Sequence, residues 1–410
     1  MKLELPPPGA SPPDGRGWQP LAGVRVLDFS LLLPGPFTTV ILADLGADVA
    51  KIEPPGGDFA RQMPVAMFRM ANRNKRSVVL DLKHAEAAAV VERLARWADV
   101  AIEGFRPGVA DRLGIGYEAL SRHNPRIVYC SLSGYGQDGP ASMAPGHDLN
   151  YLAAAGALVL PGHWSEPPRR SGLPVADLAG GSYAAIAILS ALHERSHRGK
   201  GVYLDLSLAE AALSFTQLRH GLDLDVPTRL HLYPTNDLFE TADGQAIALG
   251  IVEQHFWEGF VAAASDLAPD LRDPRYADEP KRRSHGDALA ARLREVMRRR
   301  SAADWLARFE VHDVPAQLAV SPAKASRSAQ VTAREMVMER DGERHVPFPV
   351  RANGRRGAAL HATAPDPGAD TDAVLAGLGY TRAELDRLRA TGVFGPAAPI
   401  HRQAGKEREA

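Results

Sequence analysis

Residues 24–53 read VRVLDFSLLLPGPFTTVILADLGADVAKIE. Residues 24–29 are a short apolar run closed by a turn, which predicts a buried strand. Pro34-Gly35-Pro36 then turns the chain into a helix, with Pro36 suited to the first helical position and Gly46 to the stop. A second strand is expected over Asp48–Glu53, and strand, crossover helix and strand in succession are the building unit of a parallel sheet. The alternation continues with predicted strands at 77–82, 99–105 and 126–133 and helical periods at 84–98 and 117–123. The expected fold class is α/β, with a Rossmann-like sheet.

Further along, residues 179–195 are mostly Ala, Ile, Leu and Ser and end at Arg198-Gly199-Lys200-Gly201, which predicts an interior helix with a solvent-facing end. A strand at 202–206 and a helix from about Ser207 complete this block. Residues 223–232 lose periodicity and read as a connector. Ala242-Asp243-Gly244 then marks a hairpin between 238–241 and 245–250. Helices are expected at 254–263, 285–300 and 302–310, with Ser301 and Asp304 spaced as a capping pair. Residues 347–356 break the pattern, and 370–391 return to helix with a break at Gly377. The expected organisation is a flexible Pro-rich arm over 1–20, a large domain over 21–225, a small α/β domain over 226–345, and a segment over 346–410 that returns to the large domain.

A chain of 410 residues exceeds what one core organises, since cores stop growing near ~250–300 residues. Lys plus Arg (48) and Asp plus Glu (49) nearly cancel, so no global field recruits nucleic acid or anionic lipid. No run approaches the ~18 unbroken apolar residues of a membrane-spanning helix. The arm, with Pro6, Pro7, Pro8, Pro12 and Pro13, has no apolar stretch of signal-peptide type. The single cysteine, Cys130, forms no internal bridge, and a cytoplasmic location is expected.

Two pattern matches carry no chemistry. Gly134-Tyr135-Gly136-Gln137-Asp138-Gly139 fits the dinucleotide fingerprint, but Pro140 and Pro145 deny it the helix whose N-terminus would hold a pyrophosphate. His193-Glu194-Arg195-Ser196-His197 fits a zinc-protease pattern, yet it falls at a charged helix end rather than in a dry cleft. No metal is expected.

Three segments place ionisable residues where a purely structural role fits less well. Gly146-His147-Asp148-Leu149-Asn150-Tyr151-Leu152 has helix N-terminus chemistry, whose N–H groups could receive an oxyanion with an imidazole in reach; the alternative makes His147 an entry residue and Asp148 a cap. Pro174-Val175-Ala176-Asp177-Leu178-Ala179-Gly180-Gly181 puts a lone carboxylate at the start of the apolar helix, either as a cap or as a working group. Gly180-Gly181 there permits close approach of a ligand or another backbone. Glu253 opens a helix just past the hairpin.

Six segments follow one another along the chain: Leu21-Ala22-Gly23-Val24-Arg25-Val26-Leu27-Asp28, Ala43-Asp44-Leu45-Gly46-Ala47-Asp48-Val49, Lys75-Arg76-Ser77, Leu80-Asp81-Leu82-Lys83, Glu103-Gly104-Phe105-Arg106-Pro107-Gly108 and Ser133-Gly134-Tyr135-Gly136. In these segments, taken in order, the chain closely resembles the family III coenzyme A transferases. The family includes acid–CoA transferases and α-methylacyl-CoA racemases. His147, Asp177 thirty residues later and Glu253 match the racemase branch, whereas transferases usually carry an aromatic in place of that histidine and a glutamine at the position of Leu152. The resemblance implies that His147, paired with Glu253, serves one face of the carbon beside a thioester and Asp177 the other. It implies coenzyme A, as part of the substrate and with no other cofactor, on the large domain. Leu80, Asp81, Leu82 and Lys83 would hold its adenine end, Arg112 and Lys75 its phosphates, and Gly146, Asp148, Asn150 and Tyr151 its thioester end, with Arg106 and Tyr135 from the same motifs. It further implies an interlocked homodimer with Glu253 acting across subunits.

The chain departs from the racemase pattern at Pro54, where an arginine is usual, at Tyr233-Pro234-Thr235-Asn236-Asp237, and at Gly368-Ala369-Asp370-Thr371. The alternative activity is CoA transfer between carboxylic acids through an aspartyl-CoA intermediate at Asp177. A third reading is a CoA-binding relative without activity.

Overall fold

The computed structural model describes residues 18–64, 66–164, 170–222 and 229–395. Most of the arm (1–17), part of the connector (223–228) and the end of the C-terminal segment (396–410) lie outside the described residues. The chain forms two compact units. One takes the residues up to Tyr151, then Leu173–Ala212, then those from Ala329 onward; the other takes Leu152–Gly172 and Leu213–Ser328. The division therefore falls near 212 and 328 rather than at the expected 225 and 345, and a short excursion at 152–172 joins the second unit.

The first unit is built on six parallel strands: β1 (Arg25–Asp28), β2 (Asp48–Glu53), β3 (Lys75–Val79), β4 (Val100–Glu103), β5 (Val128–Ser133) and β6 (Val202–Ser207). Their spatial order is β3-β2-β1-β4-β5-β6, so the order reverses between β1 and β4. Buried runs such as Val26–Leu27 and Val100–Ile102 show why: a parallel sheet covered on both faces selects continuous apolar strands rather than alternating ones.

Helix α1 (Pro34–Asp44) links β1 to β2. It starts two residues before the expected Pro36, with Pro34 in the first turn, where a missing N–H costs nothing. Helices α2 (Ala87–Trp97) and α3 (Tyr117–His123) follow β3 and β4. Helix α4 (Asp148–Ala154) opens after the glycine-rich loop, and the 24-residue α5 (Val175–Arg198) precedes β6 and α6 (Leu208–His220). Helix α5 has the length and composition to cross a membrane, but it packs on α1, β5 and β6 with Ala176, Ala179, Gly181, Ala184, Ala185 and Ile188 buried. Close packing on both sides of α5 accounts for its paired glycines: a Cβ on Gly180 would run into the Leu208 side chain at the start of α6, and Gly181 faces α1. A Cβ on Gly181 would stand 2.8 Å from the Pro34 carbonyl, and the Thr38 hydroxyl donates to the Gly181 carbonyl at 3.0 Å.

The C-terminal segment completes this unit. Asp370 accepts the Ser77 N–H at 2.9 Å and Thr371 Oγ1 accepts the Val79 N–H at 3.1 Å, so the chain is stitched along the β3 edge. Its helices α10 (Thr371–Gly377) and α11 (Arg382–Ala390), numbered after those of the second unit, bury Val374, Leu375, Leu385 and Leu388 in the core of α2 and α3.

The second unit holds a three-stranded antiparallel sheet of β7 (Leu238–Glu240), β8 (Ala246–Leu249) and β9 (Ala316–Leu318) with α7 (Gln254–Ala263), α8 (Gly286–Met297) and α9 (Ala302–Val311). The Asp243-Gly244 turn closes the hairpin with Gly244 at φ 71°. Its core is aromatic, with Trp257, Phe260, Trp305 and Phe309 stacked. Strand β9 is absent from the sequence reading because three residues carry too little period to detect.

Candidate active site

In an open parallel sheet, ligands settle beyond the carboxyl ends of the strands where the strand order reverses. Two cavities lie there. The first, of about 550 Å³, is lined by Leu31 and Leu32 after β1, Gly104, Phe105 and Arg106 after β4, Ser133 and Gly134 at the end of β5, and His147, Asn150, Tyr151, Asp177 and Leu208. The second, of about 590 Å³, is lined by Ile52, Glu53, Pro54, Leu80, Asp81, Leu82, Lys83, Val109 and Arg112. Leu31 and Phe105 border both, so the two run on from one another.

The loop before α4 owes its shape to Tyr151. That ring lies so close to two backbone segments that a Cβ on Gly134 or Gly146 would meet it at 2.5 Å and 2.7 Å. Its hydroxyl donates to the Gly146 carbonyl at 2.6 Å, and its ring meets Tyr135 edge-on at 5.2 Å. Burial and the nearby Asp177 push the Tyr151 phenol up to about 12, so it stays a neutral donor. The Asn150 side chain accepts the His147 N–H at 3.1 Å, closing the first turn and leaving the imidazole exposed on the cavity wall.

Asp177 lies in the first turn of α5 rather than ahead of it, because that helix begins at Val175 with Pro174 as its N-cap residue. The capping carboxylate comes from elsewhere in the chain. Asp148, on α4 and only 5% exposed, accepts the Ala176 N–H at 2.8 Å and the Asp177 N–H at 3.4 Å through Oδ1. Burial first, and the Asp148 charge second, push the Asp177 carboxyl up to about 7. A carboxyl titrating near neutrality can both give and take a proton under physiological conditions.

His147 and Asp177 are thus brought to one cavity, together with Arg106, Gly146, Asn150 and Tyr151. Leu80, Asp81, Leu82, Lys83 and Arg112 are brought to the other. Tyr135 packs on Tyr151, and Asp148 stands behind Asp177. Glu253 is exposed at the N-cap position of α7 in the second unit.

Lys75 requires a correction. Its ammonium group is fully buried and donates to Asp28 Oδ2 at 3.0 Å, the Pro36 carbonyl at 3.0 Å and Asn72 Oδ1 at 2.8 Å. It begins β3, at the end of the strand opposite the cavities, so it braces the sheet instead of meeting a phosphate.

The two pattern matches lie as follows in the fold. No helix opens between Gly134 and His147. In the histidine pair, Arg195 reaches Asp99 at 3.1 Å and Glu194 reaches Arg198 at 3.0 Å. No group of three or more His, Cys, Asp or Glu side chains suited to a metal occurs among the described residues. Burial pushes the Cys130 thiol up to about 12, which leaves it inert.

The sequence reading missed the wall shared by the cavities, Leu31 and Phe105, and Leu32 beside it in the first. Its supports are buried charges. Lys51 donates to the Ser30 carbonyl at 2.8 Å and pairs with Asp58 at 3.0 Å, while Asp58 accepts the Leu32 N–H at 3.2 Å and holds that residue at φ 64°. Their signal lay in the topology: the loops after β1 and β4 flank the reversal of strand order, and the sequence alone does not give that order.

Comparison with known proteins places these residues among relatives. Residues 21–371 match CoA-transferase family III. The acetyl-CoA:oxalate CoA-transferase of Acetobacter aceti is 36% identical over 82% of this chain and 90% of its own length. The alpha-methylacyl-CoA racemase of Homo sapiens is 34% identical over 72% of this chain and 76% of its own. The crystal structure of a CaiB/BaiF family protein from Brucella suis superposes with a TM-score of 0.77 at 30% identity, covering 88% of this chain and 99% of that one.

Proposed function

The chain belongs to CoA-transferase family III, and on that premise we propose that it epimerises 2-methyl-branched acyl-CoA thioesters by exchange of the α-proton. The observation that carries this reading is that an imidazole, His147, and a carboxyl group titrating near neutrality, Asp177, line one cavity. Inversion at carbon needs a proton removed from one face and another returned to the opposite face, hence two acid/base groups. In one direction ionised Asp177 takes the α-proton and protonated His147 returns one; in the other the roles exchange. Between the two steps the electron pair rests on the thioester oxygen as an enolate. The Asn150 and Tyr151 N–H groups bond the His147 carbonyl, so the donors for that oxygen are the N–H groups around Asp148 at the very start of α4, and one such donor is worth ~3–4 kcal/mol in measured oxyanion holes.

The second cavity suits the nucleotide of coenzyme A, with the apolar side chains of Leu80 and Leu82 for the base and Lys83 and Arg112 for phosphate. The acyl chain meets Leu31, Leu32, Leu132 and Leu208. On the same reading the protein works in the cytoplasm as an interlocked homodimer in which Glu253 pairs with the partner's catalytic histidine. Incubation with (2R)-2-methylacyl-CoA in D₂O is the test: one deuterium at the α-carbon and formation of the 2S epimer are expected, and epimer formation vanishes in His147→Ala, where Asp177 can exchange only the proton on its own face. Formation of the 2S epimer that survives in that variant would remove the two-base scheme.

CoA transfer is the second reading, favoured by the resemblance to the oxalate-using relative. The Asp177 carboxylate would attack the acyl carbon and expel CoA thiolate, and the thiolate would return to the aspartyl carbonyl, releasing the acid and leaving aspartyl-CoA. Borohydride or hydroxylamine trapping at Asp177, dependent on acyl-CoA, distinguishes it from proton exchange.

A further inference from the structure

Asp148 is the buried ionisable group beside the site that the proposed reaction does not use. Its two oxygens are in different situations. Oδ1 receives the Ala176 and Asp177 N–H groups at the start of α5, whereas Oδ2 is buried without a hydrogen-bond partner. A carboxylate that takes the first N–H groups of a long helix is stabilised in its charged form by those bonds and by the helix dipole. The same dipole would ordinarily stabilise an ionised Asp177, in the first turn of the helix, but the Ala176 and Asp177 N–H groups are already engaged by Asp148.

We propose that Asp148 is a positioning residue whose fixed negative charge, held behind Asp177 at the N-terminus of α5, keeps Asp177 able to carry a proton at neutral pH. Two carboxyls at one helix end are thereby given two roles, one capping the helix and the other facing the substrate. Other groups facing Asp177 leave this division in place. Tyr151 remains a neutral phenol, Tyr135 packs edge-on against the Tyr151 ring, and Arg106, on the loop after β4, is exposed and acts on Tyr151. His147 shares the cavity and exchanges protons with the same substrate carbon. The direction of the Asp177 titration, upward with Asp148 as its charged cause, agrees with the geometry. The inference rests on the reading of Asp177 as an acid/base group, and the experiment separates the two.

Asp148→Asn keeps an Oδ1 acceptor for the helix and removes only the charge. With the full-length protein labelled at the aspartate carboxyl carbon with ¹³C, the Asp177 resonance is identified by its loss in Asp177→Asn and titrated in wild type and Asp148→Asn. The Asp177 midpoint should fall by about one pH unit in the variant, and the acid limb of the α-proton exchange profile should move with it. An unchanged midpoint, with the thermal transition preserved, overturns the proposal. A lowered midpoint in a protein that exchanges no α-proton from any acyl-CoA leaves the carboxyl pair standing and removes the epimerase reading instead. Asp148→Ser, which also keeps an oxygen acceptor, serves if the asparagine variant does not fold, with the same expected fall and the same overturning result.

Discussion

Asp177 ties reactivity to stability. Its carboxyl titrates well above that of a free aspartic acid, to about 7, through burial and the Asp148 charge. A folded-state value above the unfolded one means that folding favours the protonated form. That contribution is full below pH ~4 and is lost as pH rises through 7. The neutral isostere Asp177→Asn should therefore match wild type at pH 4 and be more stable at pH 8. The gain is about 1–2 kcal/mol once the partial exposure of the side chain is discounted. Thermal unfolding of both proteins at pH 4, 6 and 8 checks the trend; a difference shrinking with pH would assign Asp177 to a salt bridge instead. Asp177 and His147 were legible as candidates because a carboxylate and an imidazole beside helix starts are chemically conspicuous. The division of labour between Asp148 and Asp177 was not, since it depends on a hydrogen bond across 28 positions of sequence.

At the scale of elements, the contact between α1 and α5 sets the shape of the reaction cavity, for Leu31, Leu32 and Pro34 lie at one helix start and Asp177 at the other. The helices approach closely enough that a Cβ on Gly181 would lie 2.8 Å from both the Pro34 carbonyl and Phe37 Cδ1. Gly181→Ala should part the helix starts, lower stability by about 1–3 kcal/mol by overpacking, and reduce kcat more than it raises KM for acyl-CoA. Denaturant melts and steady-state kinetics on one preparation measure both effects, and a variant as active and stable as wild type would show that the helix starts yield freely. Strands were the readable elements: apolar runs closed by turns located all six strands of the parallel sheet to within a few residues. The start of α5 was read four residues late because Pro174 and Gly172 look like loop and its cap is supplied by α4. Lys75 misled for a related reason, since a lysine beside a strand looks solvated until the fold buries it against Asp28.

Across the first unit, the proposed function gives one crevice two chemistries, and the sheet decides where each goes. Strand order fixes the reaction cavity over β1, β4 and β5 and the second cavity over β1, β2 and β3, with Leu31 and Phe105 as the shared wall. The sequence carried the alternation of strands and helices but neither the spatial order nor the excursion at 152–172, because both follow from long-range pairing rather than local period. Such a division makes the two ends of a CoA thioester energetically separable. Arg112 and Lys83 line only the second cavity, and both are exposed. Loss of one charge-assisted contact to phosphate at an exposed site removes about 1.4 kcal/mol, or tenfold in affinity. Arg112→Ala should then raise KM for an acyl-CoA about tenfold while leaving kcat near wild type, because the lost interaction is made equally in the ground and transition states. The same variant should handle the matching acyl-pantetheine, which lacks the nucleotide, no worse than wild type does. Parallel kinetics with the two substrates check this, and an equal loss on both would mean that Arg112 supports the reaction cavity itself rather than the nucleotide end of the crevice.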